Sequence, residues 1–155
     1  MKVVYAGYRK WSYRILKKLL KLSNRKWKIT AAITPLSPEV NFTNLAIPCF
    51  AIDPKKLDDK KFLQKIKQIK PEVILFYGWS WFIPKDLYDN YKCLILHPSP
   101  LPKYRGGSPI QHQIMANETR SAVTIIQATE NLDAGDIYSQ SEFLLTGNLN
   151  QIFKR

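Results

Sequence analysis

Hydrophobic positions follow two different spacings along the first hundred residues. Short, largely apolar segments predict strands at 3–6, 28–34 and 47–52, and the continuous apolar runs at 73–77 and 93–96 are typical of central parallel strands that are covered on both faces. Between them, apolar residues recur every three or four positions over 11–22 and 57–69, which predicts two helices with one inner face each. Alternating strands and helices predict an α/β fold, a Rossmann-like three-layer sandwich with a mostly parallel central sheet.

Beyond residue 100 the pattern changes. A helix is predicted over 108–117, and two extended segments, 122–127 and 137–145, are joined by an acidic turn that contains a glycine. The chain has 155 residues, which fits one domain spanning 1–155. No apolar run approaches the roughly 18 residues of a membrane span, and 3–6 is too short for a signal-peptide core. We therefore expect a cytoplasmic location and no membrane partner.

The charge is distributed unevenly. The formal net charge is +12, yet residues 1–70 hold 17 Lys and Arg against 4 Asp and Glu, whereas residues 71–155 hold 7 against 8. One interpretation is a basic surface that attracts phosphates, and the other is solvated lysine-rich helix faces. Cys49 and Cys93 lie in apolar stretches without the spacing of a zinc site, so we expect two buried thiols and no metal.

We expect the catalytic or ligand-binding residues to lie beyond the carboxyl ends of the parallel strands, where open α/β sheets bind ligands. Three segments lie there: 7–9, 78–81 and 97–102. Gly7 stands alone, without the G-x-G-x-x-G of a dinucleotide site, and no phosphate-binding loop of the G-x-x-x-x-G-K-[ST] type occurs. Nicotinamide enzymes, flavin enzymes and nucleotide triphosphatases are therefore disfavoured.

His97 follows an apolar strand that we expect to be the most buried, and it precedes three prolines within five residues. Such a rigid loop suits either a catalytic or a structural histidine. His112, on the predicted helix, is interpreted as a surface or packing residue. Ser108 is expected to cap that helix, whose start could receive an anion. Asp133 by itself is interpreted as a turn former.

Together these segments resemble the catalytic domain of the folate-dependent formyltransferases, which include methionyl-tRNA, glycinamide ribonucleotide and sugar N-formyltransferases. The resemblance rests on the sequence His-Pro-Ser-Pro-Leu-Pro-x-Tyr-Arg-Gly-Gly-x-Pro over 97–109, on Ala-Val-Thr at 122–124 and on Leu-Asp-Ala-Gly-Asp-Ile at 132–137. The turns 6–11 and 76–81 are similar to those of the sugar-modifying branch. The resemblance implies the formyltransferase fold over nearly the whole chain.

The resemblance also implies transfer of a formyl group from 10-formyltetrahydrofolate to a primary amine. His97 would be the general acid and base, and Asp133 would orient it and stabilise its cationic form. The implied folate contacts are Gly78, Trp79, Trp81, Phe82, Ile83 and Asp133. The implied acceptor contacts are Tyr8, Arg9, Tyr77, Ser99, Arg105, Gly106 and Gly107.

Three functions stay open at this point. The first is an N-formyltransferase acting on a nucleotide-linked amino sugar, which the aromatic turns favour. The second is methionyl-tRNA formyltransferase, which the basic half would suit. The third is a catalytically impaired folate- or nucleotide-binding protein, because Ile95 stands where the family has a catalytic asparagine. A homodimer is one expectation for the oligomeric state.

The end of the sequence carries a further expectation. Residues 147–155 read as the start of a helix with nothing after it to cover an apolar side. We therefore expect a catalytic domain that lacks a C-terminal extension, which at this stage disfavours the tRNA enzyme.

Overall fold

The computed structural model describes residues 1–154, which divide into two compact units, Met1–Leu94 and a second unit that begins at Ile95. The α/β prediction is confirmed, since helices alternate with parallel strands in the first unit. No helix in the described part of the chain is long and apolar enough to cross a membrane.

The first unit is built on four parallel strands in the order β3-β2-β1-β4. The strands are β1 Lys2–Ala6, β2 Lys28–Pro35, β3 Cys49–Ile52 and β4 Val73–Tyr77. The helices are α1 Lys10–Leu22, α2 Lys60–Ile69 and α3 Lys85–Tyr88, and a short 3-10 turn covers Pro54–Lys56. Strand β5, Lys92–His97, begins in this unit and ends in the second.

A buried polar contact joins the ends of β1 and β4 to α1. The Tyr5 hydroxyl donates to the Ser12 carbonyl over 2.9 Å, and the Ser12 hydroxyl donates to the Tyr77 carbonyl. A side chain at Gly7 would collide with the Ser12 hydroxyl and the Tyr77 carbonyl. Glycine is therefore needed at this turn for close approach, not for phosphate binding.

The second unit contains an antiparallel pair and two short helices. Its elements are α4 Pro109–Met115, β6 Arg120–Gln127, β7 Ile137–Leu144 and α5 Leu149–Ile152. Ile152 is buried against Ile110 and Leu145, so the expectation that the terminal segment cannot bury its apolar side is wrong for this residue. Helix α5 begins with a capping box between Asn148 and Gln151. Arg155, the last residue of the segment 147–155 to which that expectation applied, lies outside the described residues.

Four local predictions need correction. Helix α2 begins at Lys60, not 57, because the Asp59 carboxylate caps it. Ser108 has a left-handed backbone with φ of 53° and makes no capping hydrogen bond. Strand β5 is not the most buried, since its centre is half-buried while residues 3–6 of β1 are at most 2% exposed. Cys93 is buried as predicted, but Cys49 is only half-buried.

Candidate active site

The candidate residues fall into two groups, one in each unit. In the second unit, His97 ends β5 with both ring nitrogens facing oxygen atoms. Nε2 lies 2.9 Å from the Tyr104 carbonyl oxygen, and Nδ1 lies 3.4 Å from Oδ2 of Asp133. Both oxygens are acceptors, and the shorter contact, to the Tyr104 carbonyl, favours the neutral tautomer with its N–H on Nε2 and Nδ1 facing the carboxylate. His97 can therefore accept a proton at Nδ1 beside a carboxylate.

The turn between β6 and β7 holds this carboxylate in place. Asp133 has a left-handed backbone with φ of 47°, and its Oδ2 accepts a 2.8 Å hydrogen bond from the Gly106 N–H. A side chain at Gly135 would collide with the Gln127 carbonyl, so this turn requires glycine two residues after the aspartate. The side chains of His97 and Asp133 are only 7% and 9% exposed, which strengthens the electrostatic interaction between them. The proximity that the resemblance implied is therefore observed.

The proline-rich loop after His97 is fixed by hydrogen bonds that are buried or partly buried. The Ser99 hydroxyl donates to the Lys103 carbonyl over 2.8 Å, and the Thr124 hydroxyl donates to the Ser99 carbonyl over 2.6 Å. Gln113 donates to the Pro98 carbonyl over 3.1 Å. Ser99 is fully buried, so its expected contact with an acceptor is wrong, and it instead shapes the loop.

Gln113 belongs to none of the sequence motifs, and Thr124 entered only as part of the Ala-Val-Thr motif at 122–124, without a role at the site. A glutamine on a helix and a threonine on a strand give no local signal that they bond to a distant loop. Both side chains are fully buried, which is unusual for polar residues and marks them as parts of the framework around His97.

The loop between Tyr104 and Ser108 faces solvent. Arg105 and Gly107 are exposed, and a side chain at Gly107 would meet no atom within 4 Å. Gly106 has φ of 89°, a conformation suited to glycine, and its N–H is committed to Asp133. Of the predicted acceptor contacts in this unit, Arg105 and Gly107 are free to meet a ligand.

In the first unit, the turn between β1 and α1 presents Tyr8 and Arg9. The Arg9 guanidinium lies 4.5 Å from the Tyr8 ring centroid and 2.6 Å from the Glu39 carboxylate. The other Glu39 oxygen accepts from the Lys10 backbone N–H over 2.9 Å, so it occupies the start of α1, where no local side chain caps the helix. No local signal in the sequence marks Glu39, because it lies 29 residues from Lys10 in a loop without periodicity.

Glu39 is held ionised by these partners. Partial burial raises its pKa, but the hydrogen bond from Lys10 and the pair with Arg9 outweigh that effect, so the pKa lies below the usual value. The carboxylate thus fixes the conformation of Arg9, which the resemblance assigned to acceptor binding.

The turn after β4 carries an aromatic cluster. The Trp79 and Trp81 ring centroids are 5.1 Å apart, and Trp81 lies 5.0 Å from the Tyr8 ring. Gly78 has φ of 74° and packs against α1. The indole N–H of Trp79 is buried and has no hydrogen-bond partner within residues 1–154, so this turn contains one unsatisfied donor.

Three more predicted contacts lie around this turn. Phe82 is 78% exposed and Ile83 is half-buried, so both are accessible to a ligand. Tyr77 is instead 7% exposed and packs its ring against Tyr5, and burial raises its pKa to about 12. Its side chain packs in the core, so the observed packing gives no support to the predicted contact with the formyl acceptor.

The fold and the buried histidine–carboxylate pair at a strand end define an α/β protein equipped for proton transfer. A family model described as formyl transferase matches residues 18–150. The chain therefore belongs to the formyl transferase family, and the predicted formyltransferase fold is confirmed.

Similar proteins agree with this membership. Methionyl-tRNA formyltransferase from Geobacillus sp. (strain WCH70) is 33% identical over 159 residues, which cover 94% of this chain and 49% of that protein. The chain thus spans about half the length of this curated relative. The solved structure of phosphoribosylglycinamide formyltransferase from Anaplasma phagocytophilum has a TM-score of 0.84 at 20% identity, covering 99% of this chain and 78% of that one. HypX from Aquifex aeolicus, solved in complex with tetrahydrofolic acid, has a TM-score of 0.67 at 23% identity, covering 93% and 21% of the two chains.

Proposed function

We propose that this protein transfers a formyl group from 10-formyltetrahydrofolate to a primary amine, with methionyl-tRNA as the acceptor. Family membership supports the reaction class, and the tRNA acceptor is supported by the identity to the Geobacillus enzyme. The observation that carries the chemistry is the His97–Asp133 pair.

Bound folate supplies an activated formyl group, and the residues of this chain supply proton transfer. As the amine attacks, its nitrogen becomes acidic and needs a base. Nδ1 of His97 takes the proton, and the Asp133 carboxylate stabilises the resulting imidazolium while Tyr104 accepts from Nε2. The same proton can then pass to the departing nitrogen.

We assign the pteridine-type part of the folate to the turn after β4. Its Trp79 indole N–H is a buried donor with no partner within residues 1–154, and a heterocycle rich in oxygen and nitrogen acceptors would satisfy it. Phe82 supplies an exposed aromatic surface. The tetrahydrofolic acid named for HypX supports the same ligand class.

A nucleotide-linked amino sugar is the second candidate acceptor, and the Tyr8–Trp81 ring contact favours it, since aromatic side chains can stack on sugars and bases. The comparisons give this acceptor less support than methionyl-tRNA. A panel of both acceptor types, each with 10-formyltetrahydrofolate, separates the two candidates.

The central test is formyl transfer to methionyl-tRNA by wild type, His97→Ala and His112→Ala. His112 is exposed on α4 and makes a matched control for histidine removal. We expect His97→Ala to lose at least about 100-fold in kcat, as for removal of a general base, and His112→Ala to keep wild-type activity. Equal activity of all three proteins would overturn the proposed role of His97. Folate binding without turnover in the wild type would overturn the proposal that this protein catalyses formyl transfer.

A further inference from the structure

The outer face of α1 carries an unusual run of positive charge. The first acidic residue of the chain is Glu39, and ten Lys and Arg residues precede it. On α1, exposed cations recur three or four positions apart at Lys10, Arg14, Lys17, Lys18 and Lys21. This spacing places them on one side of the helix, over a length of about 16 Å.

These cations are uncompensated within the protein. Within residues 1–154, the side chains of Arg14, Lys17, Lys18 and Lys21 pair with no carboxylate. The nearby acid Glu39 is committed to Arg9 and the start of α1. Like charges four residues apart repel each other, so α1 keeps this pattern at a cost to its own stability.

Helix α2 offers a contrast in the same unit. It is also rich in exposed lysine, but two acidic residues, Asp58 and Asp59, stand directly before it, and Asp59 caps it. Its charge is therefore the ordinary pattern of a solvated helix with a negatively charged N-cap. The α2 lysines likewise form no ion pair with a carboxylate within residues 1–154, but α1 differs in having no acidic residue on it or before it in the sequence.

We propose that the outer face of α1 is a binding surface for the sugar-phosphate backbone of RNA, specifically the tRNA acceptor, and in naming tRNA this inference rests on the proposed function. A regular row of flexible ammonium and guanidinium groups matches the repeated charge of a nucleic acid. A membrane surface fits less well, because the apolar side of α1 packs into the protein, with Leu16 fully buried.

The contact predicted here is electrostatic and independent of base sequence. Each lysine that neutralises a phosphate displaces a counterion, so the affinity must fall steeply with salt. Residues of α1 would thus contribute affinity for tRNA without touching the reacting groups.

The test measures binding of a fluorescently labelled, unacylated tRNA transcript by anisotropy between 50 and 300 mM KCl, on the full chain. One variant carries Lys17→Gln, Lys18→Gln and Lys21→Gln on α1. The matched control carries Lys60→Gln, Lys61→Gln and Lys67→Gln on α2, which changes the net charge equally. Glutamine and lysine have similar helix propensities, and circular dichroism confirms that both variants stay folded.

We expect the α1 variant to bind tRNA at least about tenfold more weakly at low salt and to lower the slope of log K against log salt by about two to three. The α2 variant should change both quantities far less. Equal effects of the two variants would show that only the net charge of the protein matters and would overturn the proposal. The proposal would also be overturned if neither variant changed tRNA binding.

Two controls separate the alternatives. Binding of the α1 variant to vesicles containing 30% phosphatidylserine is measured alongside, and a loss seen with vesicles but not with tRNA would assign the surface to membranes and overturn the RNA interpretation. Formyl transfer is assayed separately. If the wild type shows no formyl transfer but the α1 variant still lowers the salt dependence of tRNA binding, the proposed function alone is contradicted. If the wild type formylates methionyl-tRNA but the α1 variant binds tRNA as the wild type does, this inference alone is contradicted.

Discussion

Ile95 gives the sharpest prediction about catalysis. It lies on β5 two residues before His97, so both side chains project from the same face of the strand, about 6.6 Å apart along it. Ile95 is half-buried, which leaves room for a polar group at this position to reach solvent or a ligand. The substitution Ile95→Asn would place an amide donor beside the imidazole.

The expected gain follows from the chemistry of the formyl oxygen. Negative charge develops on that oxygen as the amine attacks, and one well-placed donor contributes about 10²- to 10³-fold in rate. An engineered amide without a tailored environment should recover only part of this, so we expect kcat to rise about tenfold or more. The loss of partly buried apolar surface should lower the free energy of unfolding by about 1–2 kcal/mol.

Leu96→Asn is the matched control, because Leu96 is equally half-buried but projects from the opposite face of the same strand. Single-turnover formyl transfer from 10-formyltetrahydrofolate measures the chemical step directly, and urea unfolding measures stability. A faster reaction in Ile95→Asn alone would support the reasoning. A slower reaction in Ile95→Asn, or equal gains in both variants, would show that the site is organised around Ile95 in another way.

Three further predictions concern the supports of the site. Asp133→Asn keeps a hydrogen-bond acceptor for the Gly106 N–H but removes the negative charge beside His97. We expect kcat to fall about 100-fold or more while the urea midpoint stays near that of wild type. An unchanged kcat would show that Asp133 takes no part in the mechanism. Gly135→Ala collides with a backbone carbonyl, so thermal unfolding should show a clearly lower Tm, and an unchanged Tm would contradict the packing of that turn. Because the folded pKa of Glu39 is depressed, its carboxylate stabilises the fold above the unfolded pKa of about 4.3 and loses this effect as pH falls through the folded value. The urea midpoint of Glu39→Gln should therefore lie below that of wild type at pH 7, and the difference should shrink as the pH is lowered through 4 to 3. Equal midpoints at every pH would refute the assignment.

Much of the fold could be predicted from local patterns. The strands ending at Ala6 and Tyr77 and the helix over 10–22 were expected within one or two residues, because continuous apolar runs and helical spacing report burial directly. Element starts were less predictable. Helix α2 begins at Lys60 because a single carboxylate, Asp59, bonds to its first free N–H groups, an effect that hydrophobic spacing does not record.

The candidate site divides in the same way. His97 could be singled out because it ends an apolar strand and precedes a rigid loop. Tyr77 and Ser99 looked equally suited to ligand contact, yet both side chains are buried. Adjacent positions near a strand end face different sides, so sequence position alone does not tell which polar group points outward.

The sequence by itself determined the α/β class, the charge imbalance and the position of one histidine, because these depend on periodicity and composition within short windows. Only the tertiary structure decided how the Asp133 carboxylate that the resemblance implied comes to meet that histidine, that the Tyr104 carbonyl meets it too, and which group meets Arg9. The Asp133 carboxylate reaches His97 through a left-handed residue and a turn with no room for a side chain at Gly135. Glu39 reaches the start of α1 across 29 residues. Such contacts depend on how turns direct distant segments, and that direction is a property of the folded chain.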